Sequence, residues 1–486
     1  MTGDIPRRRF LGRSLAAAAT IVAFDPVTRT WVREARADTI PIPSLDGMLV
    51  EAGPLLAEAA DDFGHIISRM PVAVLIPGSI HDIKKLVKLA RCHGLRVGGM
   101  SMIGNTHSSY GQSQVEAGVV IDMSALCEIH EINEHDALVD AGVRWEELLE
   151  ATVPLGKSPP TLTDLIDLSV GGTLSVGGIG GQAFQHGLQV DNVLELQVVT
   201  GRGKVVTCSP THRADLFESV RAGLGQFAIV VRARVRLVDV PPMVRTYTAV
   251  YADAATFTGD QVMLVQDGRF DYVEGSASPD GSGGWLYSLE AAKYFDPAAP
   301  PDDATQLAGL SFLPGTEATT DQSYFDFANR LAPLVAFLKS IGVWDLPHPW
   351  LNLFLPGSEA ASFVASTLAA TTEDDVGQGP VLIYPFLRAA ATADFVPLPG
   401  EDVVFLFALL RNSLPFIPGH LSSQLQRNRE LYDAAHALGG SLYAISSVDF
   451  DALDWQDHFG GVWDDFVAAK DEYDPDRILT PGQGIF

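Results

Sequence analysis

The chain has 486 residues, 47% of them hydrophobic, which is enough for more than one packed core and excludes a disordered polypeptide. Its 60 acidic residues against 33 basic ones leave a net charge of −27, which argues against nucleic acid or an anionic membrane surface as partner. Cys92, Cys127 and Cys208 are odd in number and far apart, which excludes a disulfide framework and a CxxC metal pair, so no metal site is expected. Cys92 lies in a helical pattern and Cys208 at a strand end, and both are expected to be buried small hydrophobes.

In chain order, the amino terminus reads as an address. Arg7-Arg8-Arg9-Phe10-Leu11 precedes a mild apolar run from Leu15 to Phe24, and Ala35-Arg36-Ala37 offers a small-x-small cleavage site. Together they resemble a twin-arginine signal over residues 1–37, with a basic tail as the alternative. The run is too short and alanine-rich to anchor the protein in a bilayer. The expectation is an exported protein, periplasmic or extracellular, with the twin-arginine translocase as a transient partner. That route moves folded proteins, so a cofactor can be loaded first.

Val72 to Ile76 reads as a buried strand. Ser79 is a candidate N-cap for a helix whose Ile83, Leu86, Val87 and Ala90 share one face, and Gly94 closes it. Arg96 to Gly98, Val119 to Met123 and Ala137 to Val143 read as strands, and Trp145 to Ala151 as a helix. Asn192 to Thr200 and Lys204 to Ser209 form a predicted hairpin about Gly201-Arg202-Gly203, and Phe227 to Leu237 is a long alternating strand. Hairpins mixed with helices predict α+β and not a doubly wound sheet. Pro241-Pro242 marks a candidate domain boundary. Beyond it, Thr246 to Tyr251, Trp285 to Glu290 and Val403 to Leu410 read as strands, and Tyr324 to Ile341 and Leu421 to Leu438 as helices.

Two glycine-bounded loops carry the chemistry. Gly104-Asn105-Thr106-His107-Ser108-Ser109-Tyr110-Gly111-Gln112 follows an apolar run, and Ser169 to Gln182 holds Gly171-Gly172-Thr173-Leu174-Ser175 and Gly177-Gly178-Ile179. Glycine allows positive φ and close approach of backbone to a flat ligand. Two such loops can cradle a phosphorylated cofactor with backbone N–H groups. Neither fits the strand–GxGxxG–helix fingerprint, and either can equally be a tight turn. A lone histidine such as His107 is often a surface donor, and Asp164 before Leu165 can be a turn aspartate.

The loops together resemble the cytokinin dehydrogenases, flavoproteins of the vanillyl-alcohol-oxidase type. The match runs through GxxHSxxGQ, TD…LSVGGTLSxxGIxGQAFxHG, Phe270 to Gly275, Phe337 to Pro356, Gly379 to Pro385, Phe405 to Pro415, and His458 to the terminal Pro481-Gly482-Gln483-Gly484-Ile485-Phe486. The resemblance implies a PCMH-type two-subdomain FAD-binding domain over 38–240, an α+β substrate domain over 241–440, and a segment 441–486 returning to the FAD domain. It implies FAD bound covalently through its 8α-methyl to His107. Gly104, Asn105, Thr106, Ser108, Gln112, Asp164, Gly171, Gly172, Thr173, Ser175, Gly178, Ile179, Ile229, Tyr443 and Gln483 are implied to contact the cofactor. The doubly linked relatives use a cysteine in the second loop, and none lies between Thr163 and Gln182.

Asp164 falls on the family's catalytic aspartate, with Asp167 a rival that only alignment separates from it, and Trp350 and Asn352 fall on substrate-pocket residues. His186 matches the family without a role. The implied reaction oxidises the N6 side chain of an adenine by hydride transfer to flavin N5, with a quinone or O2 as acceptor. Departures concentrate in the pocket. Gly104-Asn105-Thr106 stands for the family's Gly-Arg-Gly, Leu162 and Leu165 for tryptophan and tyrosine, Phe386-Leu387-Arg388 for Leu-Asn-Arg, and Ser441-Leu442 and Ala444-Ile445 flank Tyr443 in place of the usual residues. Two alternatives follow: a flavin enzyme acting on another amine, alcohol or sugar, and a flavin-binding protein without turnover.

Overall fold

The computed structural model describes residues 21–25, 28–33, 39–100 and 106–486. Gly104, Asn105, the arginine stretch and the Ala35-Arg36-Ala37 site lie outside these. Ile21–Asp25 pairs antiparallel with Thr30–Arg33, which pairs with Thr39–Pro41, and Trp31 packs into the core at 1% exposure.

A four-stranded sheet follows, in the order Met48–Val50, Ala73–Ile76, Val119–Asp122, Val97–Met100. Ala73–Ile76 and Val97–Met100 both run parallel to Val119–Asp122. Helix Ile80–His93 makes the connection, burying Ile83, Leu86, Val87 and Ala90 as its spacing predicts, and Gly94 ends it at φ 67°. Ser79 does not cap through its side chain, because its hydroxyl donates to Asp46 at 2.6 Å. The buried Asp82 in the first turn instead accepts N–H groups from Asp46, Gly47 and Gly78. Cys92 is exposed, against expectation: it lies on the helix face away from the buried stripe, and only Cys208 is buried.

A five-stranded antiparallel sheet has the order Val205–Cys208, Val193–Thr200, Ala228–Arg236, Asp136–Asp140, Ile129–Ile132. The expected hairpin is its first pair, closed by Gly203 at φ 67° with its N–H donating to Thr200. An eight-stranded antiparallel sheet spans Ala318–Ser323, Met243–Tyr251, Trp285–Phe295, Tyr272–Pro279, Val381–Leu387, Val403–Leu409, Leu351–Pro356 and Ser441–Leu442, in that order. The class is α+β.

The predicted helix Tyr324 to Ile341 is two helices, Tyr324–Ala328 and Ala332–Ser340. Pro333 explains the break, since its ring and missing N–H cannot sit inside a continuous helix. Arg330 lies in the gap.

The chain's end returns to the first two sheets. Leu479 bridges to Val97, and the Thr480 N–H donates to the Val97 carbonyl at 2.9 Å. Buried Lys470 pairs with buried Asp474 at 2.9 Å and donates to the Gln226 carbonyl at 2.8 Å. Burying one ion pair is costly unless its remaining donors are used, and here they are.

Candidate active site

A cavity of about 570 Å³ runs between the three sheets. That is an ordinary size for a cofactor or ligand site. Its walls bring together almost every residue that the sequence pattern singles out: Thr106, His107, Ser108, Gln112, Asp164, Gly171, Gly172, Thr173, Ser175, Gly178, Ile179, Ile229, Trp350, Asn352, Tyr443 and Gln483 all line it.

The His107 loop is braced from behind by Asp62-Phe63-Gly64. Phe63 N–H donates to the Thr106 carbonyl at 2.9 Å, and the Asp62 carboxylate accepts Ser108 Oγ at 3.0 Å and the Gly111 N–H at 2.7 Å. Burial raises the Asp62 pKa to about 7. The Phe63 ring is sandwiched between His107 at 4.5 Å and His348 at 4.1 Å, with Trp344 and Trp350 edge-on. Burial lowers the His107 pKa to about 4, so the imidazole is neutral at neutral pH, and its enclosed Nε2 has no hydrogen-bond partner. A buried ring nitrogen without a partner is uncommon. Gln112 donates to the Ser446 carbonyl at 3.2 Å.

The second glycine run opens a short helix, Val170–Leu174, with Ser169 Oγ accepting the Gly172 N–H at 3.2 Å. The glycines are required from behind the loop: a Cβ on Gly171 would meet Ala141 Cβ at 2.7 Å, and one on Gly178 would meet Gln189 Oε1 at 2.1 Å with φ already at +75°. The Thr173 hydroxyl accepts from Trp145 Nε1 at 2.8 Å, and Ser175 Oγ donates to the Gly171 carbonyl. Gly178 N–H donates to the Tyr443 phenol, while the Gln483 carbonyl accepts Trp455 Nε1. The unpartnered imidazole nitrogen, the side-chain-free stretch at Gly171-Gly172 and the apolar wall at Ile179, Ile229 and Val230 fit a large, partly apolar cofactor.

The same lining holds a largely buried polar cluster. Asp164 Oδ1 accepts from Tyr272 Oη at 2.8 Å and from an Arg330 terminal nitrogen at 2.9 Å. Glu274, within hydrogen-bond reach of Asp164, is 6% exposed, and its Oε1 has no partner. Burial, then the neighbouring Asp164 charge, raises the Glu274 pKa well above the usual range. Asp167 also lines the cavity but accepts from Arg144 at 2.7 Å, so the two aspartates have different partners. Asn352 Nδ2 and Trp350 Nε1 are buried and unbonded, and both residues line the cavity.

Tyr272, Glu274, Glu290 and Arg330 are site residues that the sequence pattern does not single out. Glu274 and Tyr272 sit in the matched stretch Phe270 to Gly275, and a glutamate inside the otherwise small and apolar Val273-Glu274-Gly275-Ser276-Ala277 is a local signal for a buried carboxyl. Arg330 carries no such local sign. Helix Ala332–Ser340 gives the cavity mouth Leu334, Val335 and Leu338, with no buried residue of its own.

Two family models match the chain: "FAD binding domain" over residues 71–209, and "Cytokinin dehydrogenase 1, FAD and cytokinin binding" over 276–486. Cytokinin dehydrogenase 8 of Oryza sativa subsp. indica is 38% identical, covering 88% of this chain and 90% of its own. Cytokinin dehydrogenase 2 of Arabidopsis thaliana is 35% identical over 92% of this chain and 95% of its own. An uncharacterized oxidoreductase of the Rhodococcoides fascians fasciation locus is 38% identical over 88% and 96% respectively. In fold, the chain is similar to 6-hydroxy-D-nicotine oxidase from Arthrobacter nicotinovorans, with a TM-score of 0.69, 20% identity, and coverage of 90% and 97%.

Proposed function

The chain belongs to the cytokinin dehydrogenase family of FAD-dependent oxidoreductases, and on that premise we propose that it oxidises the secondary amine on N6 of a substituted adenine, releasing adenine and an aldehyde. The observation that supports this is that Asp164 and Glu274 line one cavity together with His107. Bound FAD supplies the hydride acceptor. The chain's own residues do the rest.

Asp164 accepts the hydrogen bond of the substrate N–H and takes its proton as hydride leaves the neighbouring C–H. Two electrons go with the hydride, and the resulting imine takes up water and splits. Glu274, held protonated by burial, donates to the substrate. Asn352 Nδ2 and Trp350 Nε1 are free to donate to ring nitrogens. His107, kept neutral by burial and therefore nucleophilic, would be the residue that holds FAD covalently. The glycine loops, Gln112, Ile229, Tyr443 and Gln483 hold the remainder. The electron acceptor is a quinone or O2. The division into 38–240, 241–440 and 441–486 and export by the twin-arginine route belong to the same reading.

Leu165, in the place of the family's tyrosine, lines the cavity. It favours a second reading in which the same chemistry acts on a different amine. Anaerobic mixing of the pure protein with isopentenyladenine decides between them. Bleaching of the flavin band is expected, and a flavin bleached only by other amines would establish the second reading.

A further inference from the structure

We propose that Arg330 is the positioning residue that divides the work of the two carboxylates, keeping Asp164 charged and aimed while Glu274 stays protonated. The proposal rests on the amine-oxidising reading of this site. Asp164 and Glu274 lie about the same Arg330 nitrogen, at 2.9 and 3.7 Å, and the Asp164 charge works against ionisation of Glu274. Two like charges in one buried site disfavour double ionisation, and a cation nearer to one of them decides which stays charged. Arg330 is that cation. Its terminal nitrogen is 2.9 Å from Asp164 but 3.7 Å from Glu274, so its charge acts chiefly on Asp164.

The rest of the guanidinium is held as well. Its Nε donates to Glu290 at 2.9 Å, another nitrogen donates to the Phe327 carbonyl at 3.3 Å, and the terminal nitrogen that holds Asp164 also bonds Tyr272 Oη. The group lies over the Tyr272 and Phe327 rings at 4.9 and 4.8 Å. A planar fork of this kind is something a lysine cannot reproduce. Asp164, Glu274, Glu290, Tyr272, Tyr294 and Tyr384 are the titratable groups that face it or the pair, and among the described residues Arg330 is the one cation paired with Asp164 or Glu274. Burial works against its charge, but Tyr272, Asp164, Glu290 and Glu274 outweigh burial. The break forced by Pro333 is what turns this residue inward from between two helices.

The test uses the holoenzyme and four variants. Infrared spectra without substrate, read against Glu274→Gln and Asp164→Asn so that other protonated carboxyls such as Asp62 cancel, count the protonated members of the pair at neutral pH, with Glu274→Gln assigning the Glu274 band. Wild type should show that band alone, and Arg330→Gln should add a second. The acid limb of anaerobic flavin reduction should move up by about 1–3 pH units in Arg330→Gln, as for a carboxylate that loses its cation. Arg330→Lys keeps the charge, so the band count and the limb should stay while the rate falls by up to about 100-fold, the scale of a misplaced group. A merely structural role would move neither band nor limb. A single band with an unmoved limb in Arg330→Gln overturns the proposal. Should Arg330→Gln not fold, a second band or a wild-type rate in Arg330→Lys overturns it. If no adenine amine reduces wild type, the proposed reaction fails while the band count still decides the role of Arg330.

Discussion

The phenol of Tyr443 accepts the backbone N–H of Gly178 at 2.9 Å, joining the late strand region to the second glycine run across 265 positions. Tyr443 is 4% exposed, and burial raises its pKa to about 12, so it remains a neutral phenol. Tyr443→Phe keeps the ring against Phe354 but leaves a buried N–H unmet. The expected loss is about 1–3 kcal/mol in denaturant unfolding. A much smaller loss would mean that the loop finds another acceptor.

His107 should carry the flavin. Acid-precipitated wild type should keep its yellow colour in the pellet, and His107→Ala should release it to the supernatant. The variant also removes the ring stacked on Phe63 at 4.5 Å, so its melting curve should accompany the colour test. Wild-type colour in the supernatant would disprove the covalent link.

Elements whose signals are local are legible in the sequence. The helix Ile80–His93 follows its apolar stripe to the αL Gly94, and the Gly203 hairpin closes where two strand patterns meet. The His107 loop and the second glycine run, far apart in sequence, line one cavity, and their joint pattern carries more than either loop alone. What stays hidden depends on contacts made at a distance. Asp164 and Asp167 are three positions apart in one loop, and only Arg330, 166 positions away, against Arg144 tells them apart. Cys92 is exposed because a helical stripe buries only the residues in phase with it, and position 92 falls outside that phase. The break at Arg330 is written in Pro333, but the apolar spacing runs on through the proline and masks it.

Replacing Arg8 and Arg9 with lysine should hold the folded protein in the cytoplasm, read by fractionation. Cleavage after Ala37 would remove Thr30–Arg33 and with it the buried Trp31, leaving Thr39–Pro41 without its strand partner. The mass of the exported protein should therefore begin at Asp38. An exported chain that retains Trp31 would show that this segment belongs to the mature fold.

The His458 contribution to stability should fall as pH drops below about 6.5. Burial lowers His458 from 6.5 to about 3, with His436 adding a little. The unfolded chain therefore binds a proton that the folded one refuses between these values, so stability is lost as pH falls through that window and is level above it. Each pH unit of the window is worth about 1.4 kcal/mol, which bounds the His458 share at about 5 kcal/mol. His107 and His348, each lowered to about 4 by burial, add in the same direction. His458→Phe, among Phe450, Trp455 and Phe459, should flatten the acid side of the stability curve without abolishing its slope. A curve parallel to wild type would mean that His458 is solvated.

Asp164 should govern flavin reduction and leave cofactor loading alone. Its carboxylate faces the cavity with its Oδ1 already held by Tyr272 and Arg330, so the group is fixed where a substrate N–H can reach it. Losing a proton acceptor of this kind costs about 10²–10⁴-fold in rate. Asp164→Asn should slow anaerobic reduction on that scale with the flavin spectrum unchanged. Asp167→Asn is the control: its carboxylate serves Arg144 at 2.7 Å, and its loss should have a much smaller effect on rate. Glu274→Gln tests the complementary claim. If burial keeps Glu274 protonated, an amide replaces a neutral donor with a neutral donor, and most of the rate should survive. Equal rates for the two aspartate variants would remove Asp164 from the chemistry, and a Glu274→Gln enzyme as slow as Asp164→Asn would make Glu274 the proton acceptor instead.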